Sequence, residues 1–283
     1  MEFRSDLRPS PIAGSWYPGV AAALKSQIQN YLKASKLSED ELSGEVIGLV
    51  APHAGYIYSG RTAAYAYKAV QKTPHPLVVI LSPFHPHTAS LFLTTAHSAY
   101  QTPLGAVPVA VKELQVLDNL MGRESLPLIQ IANDKEHSLE IQLPFLQTIW
   151  ETDFSLIPVM VRTYAPEAIQ KLAECLYQTI KEKDFLVIAS TDLSHFYPLE
   201  AAEVLDAEML RRISALDAVG VLSAESDGSA SACGAGAVAA MLWIAEMAGA
   251  DKAKILNYST SADETGDIKS VVGYGAAAIL VSC

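Results

Sequence analysis

Seven histidines and three cysteines are the residues of this chain best suited to chemistry, and their placement is not scattered. His53 follows the apolar run VIGLVAP, His85 and His87 lie in SPFHPH, His137 and Glu140 in EHSLE, and Asp192 and His195 in STDLSH. Cys233 stands in a fifth, small-residue segment, DGSASACGAGA. Neutral imidazole is the commonest metal ligand, and a carboxylate or thiolate often completes the shell. Two histidines with a carboxylate and open positions form the arrangement of non-haem iron oxygenases; a thiolate in the carboxylate's place favours softer ions, copper(I) and zinc among them. Asp192 and His195 also suit a general acid–base pair in which the carboxylate orients the ring. Cys233 has a second reading as a nucleophile, should a helix N-terminus stabilise its thiolate. His137 and Glu140 are three apart and so share one helical face. The motifs HExxH, CxxC, GxSxG and the P-loop are absent. CGAG lacks the strand-then-acidic pattern of a dinucleotide site, so no nucleotide cofactor is expected. Spacing alone points to a metal-dependent α/β enzyme and stops there.

These groups need a scaffold that gathers strand ends. Residues 46–51 are a β-branched apolar run, read as a buried strand that Pro52 terminates because proline cannot donate to a ladder. Ser59 is placed as the N-cap of the helix after it. Residues 77–81, LVVIL, repeat the design and run through Pro83 to His85. Buried strands are also expected at 156–161 and 185–189, and further strands at 90–95, 106–111, 255–260 and 271–281. Helices are expected at 20–34, 112–121, 166–181, 199–213, 216–223 and 238–248. Asp134 is placed as a helix cap, His75 in an exposed loop and His97 in a turn. Strands alternating with helices argue an α/β fold with a largely parallel central sheet flanked by helices. In such sheets ligands bind beyond the carboxyl ends of the strands. Neither an interior linker nor a repeat is visible, so residues 1–283 are read as a single domain, with 1–19 an irregular arm packed on it. The arm's SWYP carries two large aromatics, of which Trp16 is a candidate pocket wall.

Half of the residues are apolar and 18% are charged, which suits a well-buried core. Twenty basic residues against 31 acidic give a net charge of −11, making nucleic acid and anionic membrane poor partners. The N-terminus has no apolar core of signal-peptide length, and the apolar runs are too short to span a bilayer. A cytoplasmic location is expected. Three widely spaced cysteines give no disulfide framework.

Taken together, SWYP, APHAGYIYSG, SPFHPH, TPLG, EHSLEIQLPFLQ, STDLSHF, ACGAG and VVGYGAAAIL span the chain in an order that resembles the Memo family, called protein B of the AmmeMemoRadiSam system in prokaryotes. The resemblance implies a fold similar to class III extradiol dioxygenases, the non-haem iron enzymes that open catechol rings. It implies iron or copper, with zinc as an alternative, held by His53, His85 and Cys233. Asp192, His195 and His137 match positions lining the same pocket; Asp192 and His195 are the catalytic candidates, and Glu140, Tyr56, Trp16 and His87 join His137 as pocket candidates. Two departures stand out. Pro86 displaces the second histidine of SPFHPH to His87, and the glutamate of the dioxygenase iron site has no clear equivalent, Cys233 taking its role. The resemblance implies a redox or oxygen-dependent enzyme acting on a small molecule. The alternatives are a non-catalytic adaptor that binds a metal or a peptide and partners radical-SAM or AMMECR-type proteins, and a zinc-dependent hydrolase.

Overall fold

A computed structural model describes residues 1, 3–37, 42–150 and 152–282. The first half of the chain forms β1 (Arg4–Arg8), α1 (Ala21–Ala34), β2 (Glu45–Ala51), α2 (Tyr56–Lys68), β3 (Leu77–Pro83), β4 (Phe92–Thr95), β5 (His97–Thr102), β6 (Gly105–Pro108), α3 (Val111–Arg123) and β7 (Leu128–Ile131). A 3-10 turn, Glu140–Gln142, leads into α4 (Leu143–Ile149), followed by β8 (Ser155–Val161), α5 (Pro166–Ile180), β9 (Phe185–Ser190) and β10 (His195–Tyr197). The last third holds α6 (Leu199–Ser214), α7 (Ala218–Asp227), α8 (Ala235–Met247), β11 (Lys252–Thr260), α9 (Ala262–Thr265) and β12 (Val271–Val281).

A nine-stranded sheet runs β10–β12–β2–β9–β3–β8–β4–β7, with β11 also paired to β12. Its centre, β2–β9–β3–β8, is parallel. Every residue of β3 is buried, as expected of a parallel strand covered on both faces and read as an unbroken apolar run. The flanks are antiparallel at β2–β12, β12–β10, β12–β11 and β8–β4, so the sheet as a whole is mixed. Strands β11 and β12 need no crossover, because the short 261–270 connection folds them into a hairpin. Helix α8 packs on β2, β3 and β9 and is joined by α5 and α7; α2 packs on β2 and β12 and is joined by α1 and α4. Helix α8 is buried along eleven of its thirteen residues, which its all-round apolar sequence requires. One continuous apolar core links the sheet to both helical groups. No helix among the described residues is long and apolar enough to cross a membrane.

The local differences from the sequence reading have simple causes. Residues 4–8 of the arm form a strand, pairing with β5 in a small separate sheet, β1–β5–β6. Four of the five β1 residues are exposed, so no apolar run announced it. His97 opens β5 and is fully buried, its Nδ1 2.7 Å from Asp6 Oδ1. His75 is buried rather than exposed, paired through Nδ1 with Asp184. Helix α2 starts at Tyr56 with Gly55 as its N-cap, so Ser59 lies inside it and donates to the Ala54 carbonyl oxygen instead.

Asp134 caps no helix. It takes two hydrogen bonds from Arg8, from Nη2 at 2.6 Å and Nε at 2.9 Å. Arg8 is 1% exposed, and its Nη1 donates to Glu140 Oε2 at 2.6 Å, while Nη2 also donates to the Glu136 carbonyl oxygen at 2.6 Å. Tyr17 and Ser10 donate to the other oxygen of Glu140. This network brackets residues 134–140 at both ends and fixes the loop that reaches the strand ends.

Candidate metal centre

The parallel strands deliver their loops to one edge of the sheet. His53 follows β2, His85 follows β3, Asp192 follows β9, and the bracketed loop supplies Glu136 and His137. His53, His85 and His137 each offer a ring nitrogen, and these three atoms lie within 4.8 Å of one another. The His85 and His137 rings stack at 4.8 Å and 14°, and His53 meets both edge-on at 5.5 Å. Three imidazole nitrogens so gathered can hold a metal ion.

Hydrogen bonds decide which nitrogen of His53 is free. The Ser190 hydroxyl has one proton, and it is donated to the Ser138 carbonyl oxygen at 2.6 Å, a group that can only accept. Ser190 Oγ also accepts from Gln142 Nε2 at 2.7 Å. His53 Nδ1, 3.0 Å from the same oxygen, must therefore be the donor. Its Nε2 carries the lone pair. His85 is fixed in the same sense, because its Nδ1 lies 2.9 and 3.1 Å from the two carboxylate oxygens of Glu136. Glu136 also accepts from the backbone N–H groups of His85, His137 and Ser138, and the His137 Nδ1 lies 3.4 Å from it. A second group orienting each ring is what metal-binding histidines require.

The protonation states follow from burial and these partners. Burial, with His137 and His85 nearby, holds His53 well below the ordinary histidine range. Burial also lowers His137, to about 4. It opposes the charge on His85 too, but the Glu136 hydrogen bond and charge outweigh it and raise that pKa. Glu136 itself is buried, yet His85 and three backbone donors keep it ionised, well below the usual carboxylate range. Asp192 is pushed up to about 7 by burial, against the backbone N–H groups of His53 and Ala54.

Of the ligand set implied by the resemblance, His53 and His85 fall in the three-imidazole cluster, and His137, expected as pocket lining, is its third member. Cys233 stands beside it, with Sγ 3.1 Å from His53 Nε2. Burial and the neighbouring Asp192 raise its thiol far above the ordinary value, so in the metal-free protein it is a neutral donor to that nitrogen. Gly234 lets this loop close on β9: a Cβ there would meet Thr191 Cβ at 2.7 Å. Asp192 Oδ2 is 4.0 Å from His53 Nε2, and its Oδ1 accepts from the His53 backbone N–H at 2.7 Å. His195 opens β10, its pKa lowered by burial.

The pocket candidates divide. Trp16 lies on His137, ring centroids 4.0 Å apart. Tyr56 is buried and donates to the Ile141 carbonyl oxygen at 2.7 Å. Glu140 is engaged by Arg8, Tyr17 and Ser10, and His87 is exposed. A cavity of about 560 Å³ lies next to the cluster, lined by Trp16, Ala54, Gly55, Tyr58, Phe196 and Tyr274 among others. Tyr58, two residues beyond Tyr56, is the tyrosine of that motif that reaches it. Phe196 has φ 64°, a left-handed conformation that costs a bulky residue roughly 1–2 kcal/mol, at a register shift between β10 and β12. Sequence reasoning missed Glu136, Ser190 and Gln142. Two signals were present: Glu136 adjoins His137, and Ser190 ends the strand that leads to Asp192.

The profile of the family described as Memo-like protein matches residues 8–278. A MEMO1 family protein of Nitrosopumilus maritimus is 31% identical over 272 residues, covering 95% of this chain and 98% of that protein. One from Methanopyrus kandleri is 35% identical over 277 residues, covering 95% and 97%. Among solved structures, the uncharacterized protein JW3007 from Escherichia coli K12 shares the fold with a TM-score of 0.53 at 13% identity, over 82% of this chain and 99% of that one. The chain belongs to the Memo-like protein family.

Proposed function

We propose that the protein holds one transition-metal ion, iron or copper, on His53, His85 and His137, and uses it in a redox or oxygen-dependent reaction on a small molecule. The observation that carries this reading is the gathering of three imidazole nitrogens while Ser190 and Glu136 occupy the opposite nitrogens of two of the rings. Neutral imidazole donors suit iron, copper and zinc, and an ion held with open positions supplies Lewis-acid and redox chemistry there. The chain's own residues then have distinct tasks. Ser190 presents the lone pair of His53, and Glu136 keeps His85 pointed inward. Asp192, with a pKa of about 7, is poised to accept or return a proton near neutrality. His195, at the start of β10, is the second proton-handling candidate. Cys233 is a fourth candidate donor, whose thiol must lose its proton to bind.

The test is elemental analysis of protein purified without chelator or affinity metal, repeated for His53→Ala, His137→Ala and Cys233→Ala. Stoichiometric iron or copper, lost in the two histidine variants, is expected; unchanged content in both removes the assignment. Oxygen uptake by the loaded protein with a panel of catechols then tests the reaction class. A second reading, a closed zinc site in a non-catalytic protein, is favoured by Cys233 Sγ standing so close to His53 Nε2. In that case zinc survives purification, no substrate turns over, and the partner is another protein of radical-SAM or AMMECR type. Pull-down of the protein alone removes that partner. A cytoplasmic location belongs to both readings and is checked by cell fractionation.

A further inference from the structure

We infer that the 560 Å³ cavity beside the imidazoles binds a neutral, planar aromatic molecule whose polar substituent meets the Tyr274 hydroxyl. This names the substrate class of the proposed site and rests on that reading only for the chemistry after binding. Four aromatic side chains, Trp16, Tyr58, Phe196 and Tyr274, line the space, and such walls favour a flat ring. Trp16 links the cavity to the cluster, since it lines the space and lies on His137, and Ala54 and Gly55 of the wall follow His53 in the chain; the three imidazoles themselves do not line it.

Tyr274 is 2% exposed as a residue, and its hydroxyl, which takes no partner from the described residues, is open to the cavity it lines. A ligand in the cavity can therefore reach that hydroxyl with its polar substituent, one fixed polar group among the aromatic side chains of the wall. Phe196 is 74% exposed and held in the left-handed region, where glycine would sit without strain. Neither burial nor local geometry explains a phenyl ring there. Strained residues of this kind gather at ligand sites, and the ring lines this cavity. Charge narrows the ligand further. Among the described residues Asp267 is the one carboxylate on the wall and no cation lines the cavity, in a chain of net charge −11, so an anionic ring is disfavoured.

The experiment is calorimetric titration of the full chain, metal-free and metal-loaded, with 2-naphthamide, with its anionic analogue 2-naphthoate and with saturated cyclohexanecarboxamide. Saturable binding of 2-naphthamide is expected, at least about tenfold tighter than either comparator. Phe196→Gly should weaken it by about fivefold to tenfold while leaving the melting temperature unchanged or raised, because the substitution relieves strain. Tyr274→Phe should weaken it by a similar factor. Metal content measured on the same samples separates failure of this inference from failure of the metal assignment. Absence of saturable 2-naphthamide binding in both forms, equal affinity for all three compounds, or unaltered affinity in both variants would overturn the inference.

Discussion

Two polar clusters, one buried and one reaching from buried His53 to exposed His85, share the segment 134–140 and differ in what they leave unspent. Around Arg8, the guanidinium N–H groups meet Asp134, Glu140 and the Glu136 carbonyl oxygen, and Glu140 has further donors in Tyr17 and Ser10. The single guanidinium is shared by two carboxylates, and its N–H groups and both oxygens of Glu140 have partners within the network, so nothing remains for a ligand. Around His53, His85 and His137, orienting partners occupy the outer nitrogens of His53 and His85, while one nitrogen of each ring lies within 4.8 Å of the others and a thiol neighbours His53. The residues alternate along the chain: Asp134 and Glu140 serve the first cluster, Glu136 and His137 the second. A closed network holds structure; converging lone pairs mark a place for chemistry.

Breaking the closed network should have the largest effect. Arg8→Ala leaves two buried carboxylates without their cation and should cost about 3–5 kcal/mol in chemical denaturation. The same variant should lose metal as well, because the loop carrying His137 loses its bracket. Retention of both stability and metal would show that the clusters are independent. The orienting groups come next. Glu136→Gln and Ser190→Ala should each lower metal affinity by roughly 10- to 100-fold in competition titrations. Ser190→Ala should also redistribute the proton between the His53 ring nitrogens, read by nitrogen NMR of the metal-free protein; an unaltered tautomer would mean that Ser190 does not set it.

The smallest effect sharpens the contrast with Arg8. Asp206 is fully buried and accepts from Tyr258 and from the Ser194 backbone N–H, with no cation bonded to it among the described residues. Burial raises its pKa above the ordinary value. Stability associated with its neutral form is therefore complete below the unfolded-state pKa of about 3.9 and declines as pH rises through the higher folded-state value. Denaturation midpoints of wild type against Asp206→Asn across this range should show the decline in wild type alone.

The strand–proline–histidine design at β2 and β3 was legible because buried parallel strands are unbroken apolar runs whose ends prolines mark. Residue order alone therefore put His53 and His85 at one sheet edge. Glu136 was not legible: in DKEHSLE it reads as one more solvated acid, and its burial arises from a loop fixed by distant partners. The same holds for Arg8, whose partners are 126 and 132 positions away and leave no local pattern. The largely parallel sheet was read correctly at its centre, while the antiparallel flanks depend on pairings that periodicity does not encode. The backbone of Phe196 was likewise invisible, since nothing in HFY signals a left-handed turn.

The long reach of Arg8 has a consequence for order of assembly. The chain emits its eighth residue early and the residues that grip it more than a hundred positions later. The loop bearing Glu136 and His137 is thus clasped only once the arm has returned to it, so a long loop-closure cost stands before the three imidazoles are held in line. A chain lacking its first ten residues would keep all three imidazoles and still want the clasp that aligns them.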